Sequence, residues 1–255
     1  MTERVAGQLT VAIDGPVATV VIDNPAKRNA MTADMWRALP RLLASLEADP
    51  LVRVVVLTGA GETFCAGADI ANLAAIGTET AGANLAVAAE EALAAFAKPT
   101  IAAIRGDCIG GGCQLALACD IRLAAPGTRF GITPAKLGVI YPMTSIRRLV
   151  RVAGVGAAQW LLLSAELVDA QRAHHLSLVH EVVAGLGERT ATVAGVLASR
   201  SLLSQVAMKE MIADGDLEPA RVEHWMSQVR ESGEAAEGAA AFLARRPPEF
   251  PWRPR

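Results

Sequence analysis

The chain has 255 residues, with 24 basic against 26 acidic side chains for a formal charge of −2, and a hydrophobic share of 52%. That length and apolar fraction suit one large core with an appendage and exclude a disordered chain. Near neutrality excludes the clustered positive charge that nucleic acid or a polybasic membrane contact requires, so neither is expected as a partner.

Short runs rich in Val and Ile at 17–22, 52–58, 100–105 and 121–124, bounded by Gly, Asp or Pro, read as strands. Between the first two, Thr32 as N-cap and Asp34 in the first turn open a helix whose apolar face is Met35, Leu39, Leu42, Leu43 and Leu46; Pro40 inside it predicts a kink. A second helix covers about 84–97 and stops before Pro99, and a third starts in the glycines at 110–112. From about Gly154 the pattern turns helical, with one β-like run at 178–183. Helical periodicity follows at 193–213, 218–232 and 234–244, and Pro247, Pro248, Pro251 and Pro254 end all regular structure. The reading is an α/β core over 1–195 and a helical region over 196–255.

No stretch reaches the roughly 18 uncharged apolar residues of a membrane span, because Glu90 and Glu91 or glycines interrupt each one. No basic segment precedes an apolar one at the N-terminus, so a cytoplasmic protein is expected. Cys65, Cys108, Cys113 and Cys119 form no C-x-x-C pair and read as buried free thiols. His174, His175 and His180 have no neighbours that make a triad or a metal site and read as packing or surface residues. No metal and no resident cofactor are expected.

Two glycine-rich turns carry the chemistry. The first runs Thr58-Gly59-Ala60-Gly61-Glu62-Thr63-Phe64-Cys65-Ala66-Gly67-Ala68-Asp69-Ile70, and the second Arg105-Gly106-Asp107-Cys108-Ile109-Gly110-Gly111-Gly112-Cys113-Gln114-Leu115. Each follows a strand and leads toward a helix, so small residues there let main-chain N–H groups approach a ligand. Neither is a phosphate loop, because no Lys-Ser or Lys-Thr pair follows the glycines. Facing each other, the two turns would form an oxyanion hole from backbone donors alone.

These turns, together with Asn24-Pro25-Ala26-Lys27-Arg28-Asn29-Ala30-Met31, Cys119-Asp120 and the stretch 130–138, resemble the crotonase (enoyl-CoA hydratase/isomerase) superfamily along essentially the whole chain. The resemblance implies a spiral of ββα turns with a C-terminal helical trimerisation region, assembled as a homotrimer or dimer of trimers. It implies an acyl-CoA thioester as substrate, with coenzyme A part of the substrate rather than a cofactor. By position, the amides of Ala68 and Gly111 correspond to the pair that holds the thioester oxygen, each donor worth about 3 kcal/mol in a dry site. Ala30, Ala66, Asp69 and Ile70 fall on the adenine and pantetheine path, and Lys27 or Arg28 where a cation meets the CoA phosphates. Trp225, Met226 and Phe242 are expected between subunits.

The chain departs from the family where hydratases carry two glutamates, since Gln114 and Pro134 occupy those positions. An amide and a proline cannot shuttle a proton near neutral pH. The stretch from Phe130 through Thr133-Pro134-Ala135-Lys136-Leu137-Gly138 to Tyr141 looks like the segment of methylmalonyl-CoA decarboxylases. Gln114, Thr133 and Tyr141 would then orient a departing carboxylate, and a buried glutamate there would repel it. The expectation is a CoA-thioester lyase decarboxylating a malonyl-type acyl group. The alternatives are an enoyl-CoA hydratase or isomerase whose acid and base come from other groups such as Asp107, Asp120 or a bound water, and a non-catalytic acyl-CoA binder.

Overall fold

The computed structural model describes residues 7–69, 84–213, 215 and 217–253. Strand β1 (Gln8–Asp14), absent from the sequence reading, forms an antiparallel hairpin with β2 (Val17–Asp23) across a turn at Gly15. The signal was present in the sequence as the period-2 alternation of Leu9, Val11 and Ile13, although most of the strand is exposed. Then come α1 (Ala33–Ala48), β3 (Val54–Gly59), α2 (Leu85–Ala94), β4 (Thr100–Ile104), β5 (Asp107–Ile109), α3 (Gly111–Ala118), β6 (Ile121–Ala124) and β7 (Arg129–Gly131). Thr32 caps α1 by accepting the Met35 N–H at 3.3 Å, and the helix runs to Ala48 with Pro40 inside it.

The large sheet has the order β1-β2-β3-β4-β6-β9, with every pairing after the hairpin parallel; β9 is Glu181–Val182. A small sheet has the order β5-β7-β8, where β8 is Val168–Asp169. The chain leaves β4 for β5 through Gly106, at φ 62°, where a Cβ would stand 2.0 Å from the Glu62 carbonyl oxygen. Only glycine fits that crossing. Thus β4, β5 and α3 form one turn of a ββα spiral, and β6, β7 and the short α4 (Pro134–Leu137) form the next.

Both faces of the large sheet are covered, as parallel sheets require. Val55 and Leu57 face the main core with Met35, Trp36, Leu39, Phe64 and Leu115, whereas Val54 and Val56 face Leu186 and Ala194 of α7 (Leu186–Ala198). The second half holds α5 (Met143–Gln159), a π-helical turn at Trp160–Ser164, α6 (Ala170–His175), α8 (Leu202–Ala213), α9 (Pro219–Ser232) and α10 (Glu234–Ala244). The single helix expected over 193–213 is two, α7 and α8, bent by 102°. Among the described residues no single helix is long and apolar enough to cross a membrane.

Candidate functional site

The two glycine-rich turns are joined by main-chain bonds. Cys65 N–H donates to the Asp107 carbonyl and Ile109 N–H to the Cys65 carbonyl, both at 2.9 Å, and Phe64 N–H donates to the Arg105 carbonyl at 2.7 Å. Gly112 permits this contact, since a Cβ there would stand 2.3 Å from the Cys65 carbonyl oxygen. The register brings Ala68 beside Gly111: a Cβ on Gly111 would lie 3.4 Å from the Ala68 nitrogen and 2.9 Å from the fully buried ring of Trp36. Met31 N–H takes the Gly67 carbonyl and Asp69 N–H donates to the Met31 carbonyl, which bypasses the Ala68 amide. Gly111 is the first residue of α3, where N–H groups have no helical acceptor. Among the described residues neither amide is given to a protein acceptor, so two donors stand side by side at a helix N-terminus.

The four cysteines pack as apolar side chains, all free and buried. Burial pushes the Cys65 and Cys119 thiols up to about 12. They are unreactive packing groups.

Gln114 lies one turn along α3 from Gly111, on the same helix face. Its Nε2 donates to Ser145 Oγ at 2.7 Å and to Glu90 Oε2 at 3.3 Å, and Ser145 Oγ donates to the same Glu90 oxygen at 2.5 Å. The other Glu90 oxygen accepts from Arg148, whose second nitrogen reaches Glu91 at 2.9 Å. Glu90 is completely buried, and burial raises its pKa against the opposing pull of Ser145 and Arg148. The sequence reading treated Glu90 only as an interruption of an apolar run. The usable signal was its place in the buried stripe Ala86, Ala89, Glu90 and Leu93 of α2, a carboxylate at an apolar helix position.

Tyr141 is buried, but its hydroxyl donates to the Gly110 carbonyl at 3.1 Å, so it braces the turn before Gly111 instead of presenting its proton to an acyl group. Burial first, then the neighbouring Cys113 and Glu90, holds its pKa well above the usual phenol value. Thr133 is half-buried at the start of α4 and makes no capping bond. The proposed substitutes Asp107 and Asp120 are structural: Asp107 is tied to Arg129 at 2.6 Å and Arg28 at 3.4 Å, Asp120 to Lys209 at 2.7 Å and to Thr100.

On the side expected to face coenzyme A, Lys27 bonds Asp69 at 2.5 Å, with Lys27 about half exposed. Arg28 is exposed, and Ala30 is buried beside this pair. Ala66 N–H donates to the Arg28 carbonyl at 3.0 Å, which fastens the first turn to the Lys27-Arg28 loop. Ile70 lies outside the described residues. Trp225 corrects another expectation: it is only 6% exposed, packs on Leu202, Leu203 and Val206 of its own chain, and donates to Glu210 at 2.9 Å. Met226 and Phe242 are exposed.

A ββα spiral carrying two joined turns with a free amide on each defines the crotonase class of fold. The family model for enoyl-CoA hydratase/isomerase matches residues 12–253, and the chain belongs to that family. A Thermus thermophilus protein assigned as an enoyl-CoA hydratase is 36% identical over 251 residues, covering 92% of this chain and 98% of its own. A solved enoyl-CoA hydratase/isomerase family member superposes with a TM-score of 0.93 at 38% identity over 100% of both chains. A family protein from Hyphomonas neptunium gives 0.88 at 35% identity, covering 96% of this chain and 98% of that one.

Proposed function

We propose that this acyl-CoA enzyme performs enoyl-CoA hydratase or isomerase chemistry, with the N–H groups of Ala68 and Gly111 holding the thioester oxygen and Glu90 storing the transferred proton. The observation that carries this reading is Glu90, a buried carboxylate bonded to both Gln114 and Ser145. In hydration, water adds to the β-carbon of the enoyl thioester while the π electrons move onto the thioester oxygen. The proton leaving the water passes through the Ser145 hydroxyl to Glu90 and is delivered to the α-carbon as the enolate collapses. Isomerisation uses the same store to move a proton between the α- and γ-carbons. A raised carboxylate pKa brings the group closer to working pH, as such a role requires.

Decarboxylation of a malonyl-type thioester, the expectation drawn from the segment 130–141, loses support at the same point. Its Tyr141 donor is committed to Gly110, and the buried carboxylate whose absence it required is present. The relatives are named for hydratase and isomerase chemistry as well. Coenzyme A enters only as part of the substrate, with Lys27, Arg28, Ala30, Ala66 and Asp69 along its path. A trimer, single or paired, would cover Phe242 and Leu243, which are 83% and 82% exposed.

Mass spectrometry of the purified protein with crotonyl-CoA, malonyl-CoA and methylmalonyl-CoA tests the reading. The expected outcome is gain of one water by crotonyl-CoA or, where the activity is isomerisation, a rise in the ultraviolet absorbance of the conjugated enoyl thioester when a 3-enoyl-CoA is added in a parallel assay, with Glu90→Gln lowering that rate about a hundredfold or more. Loss of carbon dioxide from a malonyl thioester with no enoyl turnover would overturn it.

A further inference from the structure

Arg53 stands immediately before β3, so the whole of that six-residue strand, about 20 Å of extended chain, separates it from the start of the first glycine-rich turn. Its N–H donates to the Pro16 carbonyl at 2.8 Å, beside the turn between β1 and β2. At this end of the sheet Arg53, Arg200 and Arg246 line a surface cavity of about 580 Å³, whose other lining includes Pro247, Pro248 and Phe250 and no carboxylate. The two carboxylates of α10 are committed to holding the tail in place. Glu237 accepts from Arg246 at 2.6 and 2.8 Å and from the Glu249 N–H at 2.8 Å, and Glu234 accepts from Ser201 at 2.5 Å and the Trp252 N–H at 2.9 Å. Among the described residues Arg246 is in an ion pair, while Arg53, Arg200 and the nearby Arg253 are in none.

Arg53 is only 9% exposed, and of its five side-chain N–H donors one has a protein acceptor, the Arg200 carbonyl, which Nη2 meets at 2.6 Å. Its Nε is enclosed with no partner. Burial first, and then Arg253, lowers its pKa against a smaller opposing pull from Glu234. A guanidinium stays charged in proteins, so Arg53 is a nearly enclosed cation without a counter-ion, an arrangement that an entering anion relieves. Closing the chain behind α7 uses one donor and does not account for three arginines on one cavity.

We propose that this cavity binds a phosphorylated small molecule, its phosphate held by Arg53 and Arg200 with Arg246 at the edge, and its organic body against Pro247, Pro248 and Phe250. Planar guanidinium groups present paired donors that match phosphate oxygens. The volume falls within the roughly 300–1,000 Å³ of small-molecule sites, and the apolar wall gives the rest of such a ligand a surface to cover. The site is separate from the Lys27 and Arg28 end of the molecule, where the coenzyme phosphates are placed.

Calorimetric titration of the full chain at low ionic strength with phenyl phosphate, inorganic phosphate and phenol tests this. Phenyl phosphate should bind one per chain, about three- to tenfold more tightly than inorganic phosphate, and phenol should not bind. Arg200 is exposed and its side chain makes no bond among the described residues, so Arg200→Gln should weaken phenyl phosphate about three- to tenfold with the unfolding midpoint unchanged. Arg53→Lys keeps the charge and loses the fork, and should weaken it about tenfold or more. Arg28→Ala, at the other end of the sheet, should leave phenyl phosphate binding as it is. No binding of phenyl phosphate to the native protein overturns the proposal. So does binding that Arg28→Ala removes and the Arg53 and Arg200 variants leave intact, which would put the anion on the coenzyme path. Equal affinity for the two phosphates would assign the cavity to the free anion and overturn the organic body of the ligand.

Discussion

The site has a half made of backbone and a half made of side chains, and the two differ in how they are specified. The oxyanion half depends on Gly106, Gly111 and Gly112, each at a place where a Cβ would strike main chain or a buried ring. The acid-base half depends on Gln114, Glu90, Ser145 and Arg148, contributed by three helices and joined through side-chain hydrogen bonds and the Arg148–Glu90 ion pair. A backbone device fails when anything is added to it. A side-chain device fails when one partner is taken away.

Gly112→Ala is expected to have the largest effect. The new Cβ would stand 2.3 Å from the Cys65 carbonyl oxygen, which is main chain paired to Ile109 and has nowhere to move. The turns must separate, the Ala68 and Gly111 donors lose alignment, and turnover should fall about a hundredfold or more. Overpacking should also cost about 1–3 kcal/mol in denaturant unfolding. Unchanged turnover of crotonyl-CoA would break the claim that backbone contact between the turns sets the hole.

In the other half the matching experiment is removal of a partner, Arg148→Met. Glu90 would then be a buried charge without its cation, a situation that costs about 3–5 kcal/mol at neutral pH. The sign with pH follows from the raised pKa of Glu90, which burial causes. Folding favours the protonated acid, so the penalty is absent below the unfolded value of 4.5 and develops as pH rises through the folded value. The stability gap between variant and native protein should therefore be wide at pH 7 and shrink toward pH 4. A gap that does not change with pH would mean that Arg148 acts through packing.

Tyr141→Phe removes the hydroxyl that braces the oxyanion turn at the Gly110 carbonyl. Its loss leaves a carbonyl next to the oxyanion donor without that partner, and about 1 kcal/mol of stability with up to a tenfold fall in turnover is expected. A large fall confined to malonyl-type substrates would restore the decarboxylase role for Tyr141.

The same division explains what was legible in the sequence. Glycine spacing at 59–67 and 106–112 reported steric demands of the backbone, and those demands are local, so the two turns, their parallel strands and the third helix were all readable. The pairing of Glu90 with Gln114 spans 24 residues, and that of Ser145 with Glu90 spans 55, and nothing local announces either. The acid was visible only as a misplaced charge on the apolar stripe of α2, next to Glu91, which faces outward as an ordinary surface carboxylate would. Trp225 misled for a related reason: a large aromatic on a polar helix suits a subunit contact, and only the fold shows that α8 of the same chain receives it. The short strand β5 was read as loop because its three residues, Asp107–Ile109, are too few to show alternation.

The smallest expected effect belongs to the rim, where Arg28→Ala removes a side chain that is 70% exposed and only 3.4 Å from Asp107 at its nearest. An exposed guanidinium acts on a phosphate through water, where the pair is worth under about 1 kcal/mol and is screened by salt. Asp107 keeps its closer partner Arg129, so the turn below should not move. The expected outcome is a KM for the acyl-CoA raised about two- to fivefold at low ionic strength, converging on the native value in high salt, with kcat unchanged. An interaction with a distant phosphate is equally strong before and during the reaction, so it enters binding and leaves the barrier from the bound state, and hence kcat, untouched. A fall in kcat that salt does not reverse would place Arg28 in the backbone half after all, acting through its carbonyl bond to the Ala66 N–H and so on the amide of Ala68 two residues later.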